Sequence, residues 1–213
     1  MIARTLMLDN IRSSLAKSTP FEHLYSHLRP SPLSATTSAT DVSKMDLADR
    51  FSTELAAVGG EIHRVATEEQ AVETIRELLG DLQAKRVAIS DLGLLRNITS
   101  VGVEVIADPS REVLFVVDAG ISTAQLAIAE TGTLVLRSSK ERHRLVSLVP
   151  PIHICLLKSG DIRPSMHSVL DELSNDIDPT ITFITGPSRT SDIELTLAIG
   201  VHGPKRLIVV LID

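Results

Sequence analysis

Aromatic residues are almost missing from this chain: of 213 residues four are Phe, one is Tyr and none is Trp. Their absence removes the stacking platforms on which single-stranded nucleic acids lie. It also leaves the core to Leu, Ile, Val and Ala, a mix that suits a parallel or mixed sheet covered by helices. Cysteine is nearly absent too. With Cys155 alone, no disulfide can close within the chain, and no cysteine-built zinc or iron–sulfur site can form. Cys155 lies in the apolar run Ile152–Leu157 and reads as a small buried hydrophobe. A basic excess is lacking, since 21 Lys and Arg face 27 Asp and Glu for a net charge of -6. A nucleic-acid partner is therefore not expected. No apolar run approaches the roughly 20 residues that span a bilayer, so no membrane partner is expected. The first fifteen residues read as an amphipathic helix broken by Arg4, Asp9 and Arg12, not as the apolar region of a signal peptide. A cytoplasmic location is the expectation. Neither a Gly-x-Gly-x-x-Gly nor a Walker motif is complete, and no cofactor is expected. His23 and His27, four residues apart, could share a helical face, but two histidines alone do not make a metal site.

What the chain does have is alternation. Residues 1–43 read as a leading helix followed by an irregular stretch with Pro20, Pro30 and Pro32. From residue 44 onward, helical and extended patterns alternate to the end, which implies one layered α/β domain over 44–213. Residues 44–58 carry Leu47, Phe51, Leu55 and Val58 on one stripe, with Ser43 as N-cap and Gly59-Gly60 as the stop. Thr67 with Gln70 makes a capping box for a second helix reaching about Leu79. Strands are expected at 61–65, 85–90, 103–106, 113–117, 134–136, 152–157, 180–184 and 207–212, and helices at 91–97, 121–128 and 163–174. Ile193, Leu195, Leu197, Ile199 and Val201 alternate as in a strand. The Ser191/Glu194 capping box and the flanking strands argue instead for a crossover helix, and a helix is expected there.

Chemistry concentrates in the second half. Ile184-Thr185-Gly186-Pro187-Ser188-Arg189-Thr190 reads as a strand exit, a tight turn and a helix start. Helix N-termini present free N–H groups to anions, and Arg189 adds a planar fork suited to carboxylate or phosphate. Gly186, Ser188, Arg189 and Thr190 are thus candidate contacts for a small anion. A salt bridge from Arg189 to Asp192 or Glu194, and N-capping by Ser188 or Thr190, are the plainer alternatives. Glu130, beside Thr131-Gly132-Thr133, could act as base or nucleophile, or could anchor its turn through backbone N–H groups. His202 sits between glycine-flanked segments, where it could titrate near neutrality or cap a helix end. Asp118 ends an apolar stretch. If ligands lie beyond the carboxyl ends of the strands, Asp118, Glu130 and Arg189 would meet at one rim. His153, after Pro150-Pro151, reads as a core histidine more than a cleft residue. The run Arg137–Arg144 holds five basic or His positions against Glu141, by default a solvated loop, with a docking surface for an acidic partner subunit or a lid over an anion as the alternative.

AETGTLVL (129–136), SLVPPIHI (147–154), ITGPSRTSDIE (184–194) and GVHGPKRL (200–207), in this order, resemble the lactate-utilisation protein C family, the LUD-domain group also called LutC/YkgG. The leading helix and proline-bearing loop are similar to that family as well. The resemblance implies a Rossmann-like three-layer α/β sandwich of the NagB/RpiA/CoA-transferase-like superfamily, with an N-terminal helical extension. It implies an accessory subunit in the oxidation of L-lactate to pyruvate, working with cysteine-rich iron–sulfur partner subunits. A stand-alone enzyme on an acyl-CoA, sugar phosphate or folate is the alternative, since superfamily relatives use glutamates as acceptors or proton shuttles, the part that would fall to Glu130. RSSKERHR (137–144) stands where the family resemblance leads one to expect a glycine-bearing loop.

Overall fold

The computed structural model describes residues 13, 46–90, 98, 102–107, 109–138, 144–174, 178–191, 197–199 and 203–213, with backbone alone at 190–191 and 197–199. Except for Ser13, the expected N-terminal helix and proline-bearing stretch lie outside these residues, as does the helix expected at 91–97. Residues Met45–Asp213 form one compact unit.

The first helix, α1 (Leu47–Ala57), starts where Asp46 accepts a hydrogen bond from Ala48 N, so Asp46 takes the capping role expected of Ser43. Ala48, Phe51 and Leu55 recur at helical spacing and are buried. β1 (Glu61–Val65) comes next. In α2 (Glu68–Asp81) the Thr67 hydroxyl accepts from Gln70 N at 3.2 Å, and Gln70 Oε1 accepts in return from Ala66 N at 2.9 Å. Ala71, Ile75, Leu78 and Leu79 are its buried stripe. The chain continues through β2 (Arg86–Ile89), β3 (Glu104–Ile106), the short α3 (Arg111–Leu114), β4 (Ala119–Thr123), β5 (Leu126–Ile128) and β6 (Thr133–Arg137). A 3-10 turn (Arg144–Ser147) leads to β7 (Ile152–Lys158), β8 (Ile162–Arg163), α4 (Met166–Leu173), β9 (Ile181–Thr185), β10 (Arg189–Ser191), β11 (Leu197–Ile199) and β12 (Arg206–Ile212).

β1-β12-β7-β4-β2-β3 form a six-stranded sheet in which every pairing is parallel. Both faces are covered, so its strands are almost unbroken apolar runs. Along β12 the faces alternate. Ile208, Val210 and Ile212 join the α2 side with Ile75 and Leu79, while Leu207, Val209 and Leu211 join Phe51 and Leu55 of α1. The α1 side also carries a second sheet, β8-β5-β6-β9, whose Ala127, Leu134 and Leu136 pack on Cys155 and Leu157 of β7. The outer face of this smaller sheet is closed by Val169 and Leu173 of α4 against Leu126, Ile128 and Val135. The fold is the expected Rossmann-like three-layer α/β sandwich: helix α2, the parallel sheet, then α1 with the smaller sheet.

Three local expectations are corrected. Residues 121–128 are not a helix but the end of β4 and all of β5. Residues 113–117 are not a strand: Ser110 caps the short helix α3, and the strand begins at Ala119. The crossover helix expected after Ser191 is also not found among the described residues. Arg189–Ser191 instead pairs antiparallel with Leu197–Ile199. A crossover would require β9 and β12 to share one sheet. They do not, because β9 lies antiparallel to β6 in the smaller sheet. No parallel crossover was needed, and of the alternating run Leu197 and Ile199 lie in a strand.

Arg137, at the end of β6, pairs with Asp178, whose side chain is 1% exposed. An aspartate that deep needs its cation, because an unpaired buried charge is costly. Replacing Arg137 with Met is expected to lower stability by about 3 kcal/mol, readable as a shift in the urea midpoint at unchanged slope. Arg144 donates weakly to Thr180 Oγ1 at 3.4 Å. The basic residues between them, Lys140, Arg142 and His143, lie outside the described residues.

Candidate functional site

A cavity of about 410 Å³ opens between the two sheets. Its floor is set by His153 and Leu207, the second residues of β7 and β12. Ser147 and Leu148 form one wall, Gly203-Pro204 another, and Phe183 through Arg189 the third. The cavity thus sits at the amino-terminal ends of the parallel strands, not beyond their carboxyl ends as expected from open α/β sheets.

The turn Gly186-Pro187 builds the third wall for a reason of space. Gly186 has φ +75°, and a Cβ there would lie 2.7 Å from Val58 O. The strand can therefore turn hard against the end of α1. Arg189 Nη2 donates to Val58 O at 2.6 Å, so its guanidinium satisfies a carbonyl at that helix terminus. Arg189 remains exposed, and a guanidinium has five donors. Ser188 N donates to Pro204 O at 2.8 Å. The N–H at Ser188 is therefore spent on the protein. The next element is strand β10, not the expected helix, so no helix N-terminus presents N–H groups to an anion here. Gly186, Ser188 and Arg189 do line one cavity; of Thr190 the backbone alone is described, in β10.

Of the other expected residues, Asp118, Glu130, Thr131 and Gly132 do not line it. Asp118 lies before β4, at the strand's amino end, where its Oδ2 accepts from Lys85 N at 2.8 Å and Arg86 N at 2.9 Å. Its carboxylate holds β2 in place, and the shared rim with Glu130 and Arg189 is corrected accordingly. Glu130 Oε1 accepts from Met166 N at 2.7 Å, at the first residue of α4. A carboxylate there complements the helix dipole. Gly132 has φ +61°, and a Cβ would lie 2.3 Å from Leu55 N, so its place is fixed by close packing on α1. Thr131 Oγ1 is 2.7 Å from Thr133 Oγ1, which is 2.8 Å from Thr185 Oγ1 at the cavity. His202 lies outside the described residues, as do Asp192 and Glu194.

His153, which the sequence favoured as a core histidine over a cleft residue, is buried and also borders the cavity. It is wholly buried, and its Nε2 lies 2.7 Å from Ser122 Oγ. Burial alone pushes its pKa down to about 3, so the ring is neutral. Ser122 Oγ in turn donates to Cys155 Sγ at 3.6 Å, and Cys155 Sγ donates to Leu156 O at 3.6 Å. A signal was present: Ser122 is a hydroxyl inside a buried strand, and such groups need partners. Among the described residues no cluster of three His, Cys, Asp or Glu side chains could hold a metal, and no helix is long and apolar enough to cross a membrane.

Residues 48–212 match the LUD domain family. A lactate utilization protein C of Deinococcus radiodurans is 30% identical over 216 residues, covering 99% of this chain and 95% of that protein. An uncharacterized protein of Neisseria meningitidis is 40% identical over 134 residues, 61% of this chain and 56% of that one. Lactate utilization protein C of Bacillus subtilis is 38% identical over 100 residues, 44% of this chain. The chain spans 56% of the Neisseria protein and 42% of the Bacillus one, about half the length of these two relatives. A crystal structure of a DUF162 family protein from Deinococcus radiodurans matches with a TM-score of 0.63 at 26% identity, over 78% of this chain and 96% of that one.

Proposed function

The chain belongs to the LUD-domain family, and from that premise we propose that it serves in lactate utilisation. In this reading it is a cytoplasmic component without clusters that works beside iron–sulfur subunits in oxidising L-lactate to pyruvate, and it binds a small carboxylate in the cavity bordered by Gly186, Ser188 and Arg189. The observation that carries the reading is the likeness to a protein named for lactate utilisation over nearly the whole of both chains. Two features support it. The one cysteine, Cys155, is buried and hydrogen-bonded inside the sheet, which suits a component that carries no cluster on its own cysteine. Arg189 supplies a cation at the cavity mouth, the group a carboxylate needs.

The stand-alone enzyme built on Glu130 gains no support, because that carboxylate is engaged at the start of α4. Deleting the gene is expected to abolish growth on L-lactate as sole carbon source, with restoration by the full chain, and affinity-purified chain is expected to bring down iron–sulfur proteins. Undiminished growth of the deletion strain on L-lactate would overturn the role.

A further inference from the structure

The six-stranded and four-stranded sheets end in four edge strands, and three of these are guarded. β1 carries Glu61, His63 and Arg64, with Arg64 held by Asp49 and Asp213. β3 is three residues long and begins with Glu104, paired to Arg86. β8 has two residues and ends in Arg163, paired to Glu172. Charge and shortness are the usual means of keeping an edge from pairing with another chain. β9 has neither: Ile181-Thr182-Phe183-Ile184-Thr185 is five residues without a charge.

The register with β6 decides which backbone groups of β9 face outward. Ser138 N donates to Thr180 O at 3.0 Å, so this opposed pair is of the hydrogen-bonded kind. The two kinds of pair alternate along an antiparallel ladder. Thr182 and Ile184 therefore bond to β6, while the N–H and C=O groups of Ile181, Phe183 and Thr185 point away from it. Val135, opposite Phe183, agrees with this: its carbonyl accepts from Gln125 N on the far side of β6, at 3.1 Å. β9 is the last strand of its sheet, so the outward groups meet no strand among the described residues. The Phe183 side chain shares a face with Val135 and is 38% exposed.

The strand is also its own complement. Turned half a circle about Phe183, Ile181 meets Thr185, Thr182 meets Ile184 and Phe183 meets Phe183, with no charge on either side. Pro179 and Pro187 stand four residues to either side, and neither has an N–H to carry a ladder further. We infer that two copies of the chain join antiparallel through β9, with a two-fold axis at Phe183, merging two four-stranded sheets into one of eight strands. The outward N–H and C=O groups of Ile181, Phe183 and Thr185 bond to those of the second copy, and the two Phe183 rings lie side by side on one face. A pairing of five-residue strands buries little surface, so the dimer dissociates on dilution.

Sedimentation of the full chain over a dilution series is the test. A species of twice the 23.0 kDa chain mass is expected at about 100 μM, giving way to single chains near about 1 μM. Phe183→Lys places two like charges opposite each other at the axis, and so does Phe183→Glu; each variant is expected to stay monomeric at about 100 μM. Mixed one to one, the two variants set Lys against Glu and are expected to recover the dimer. Dimer surviving in either variant alone, no dimer in the mixture, or growth beyond two copies would each overturn the assignment. A wild-type chain that is monomeric throughout would overturn it too, and would leave the edge to a strand of a different protein. Should the variants fail to fold, amide exchange on the wild type gives a second readout. Exchange at Ile181, Phe183 and Thr185 is expected to slow about tenfold between about 1 and about 100 μM, with little change at Thr182 and Ile184, which are bonded within the chain. Equal rates at both concentrations overturn the assignment as well.

Discussion

Acidification from pH 7 to pH 4.5 is expected to remove about 3 kcal/mol of stability through His153 alone, rising to about 4 kcal/mol near pH 3. In the folded chain burial holds its pKa at about 3. In the unfolded chain the imidazole titrates near its ordinary value of 6.5. Between these limits the unfolded state binds the proton that the folded state refuses, so stability is full above 6.5 and falls as pH drops toward 3. The slope is about 1.4 kcal/mol per pH unit. Glu61 acts in the same direction, since hydrogen bonds from Arg206 hold its pKa below the usual carboxylate value. That contribution disappears only below pH 4.5, so the window from 6.5 to about 5 belongs to the histidine. Urea titrations at several pH values are the measurement. His153→Leu should show a flatter profile across that window than the wild type. Parallel profiles would mean that His153 is protonated in the fold.

Gly120→Ala is expected to cost on the order of 4 kcal/mol or more, enough to leave little folded protein. Gly120 sits within β4, beside His153 of β7. A Cβ added there would lie 2.0 Å from Val146 O and 3.0 Å from Pro150 Cγ. Neither obstacle is the loose end of a flexible side chain. Val146 belongs to the 3-10 turn that packs on Ala88, Leu114 and Val117. One methyl would have to displace that turn from the sheet, and overpacking against backbone relaxes poorly. Far-ultraviolet circular dichroism with a thermal melt would show the loss. A variant melting within a few degrees of the wild type would mean that the turn is not seated as described.

The elements that sequence patterning caught share one property, a buried face with a clean period. β12 and β7 were legible as apolar runs, α2 as a stripe with a capping box, and β1 between a glycine pair and a capping threonine. The misread elements depended on partners distant in sequence. Residues 121–128 look helical until β6 and β8 are known to flank β5. The hairpin β10–β11 looks like a crossover until β9 is assigned to the smaller sheet. The site divided similarly. Arg189, Ser188 and Gly186 share a motif, and they line the cavity together. His153 became visible as more than core only beside Ser122, which lies 31 positions earlier. Asp118 and Glu130 attracted attention as carboxylates near strand ends, but each is engaged by backbone N–H groups that sequence could not assign to it.

The row Thr131, Thr133 and Thr185 can run either way. Each hydroxyl carries a single hydrogen on a freely turning bond, so the row is self-consistent in two polarities. In one, every hydrogen points toward Thr185, whose own is then left for the cavity. In the other, every hydrogen points back toward Thr131, and Thr185 shows the cavity a lone pair. Three small rotations convert one into the other with no backbone movement. One side of the cavity can thus answer a donor or an acceptor with equal readiness.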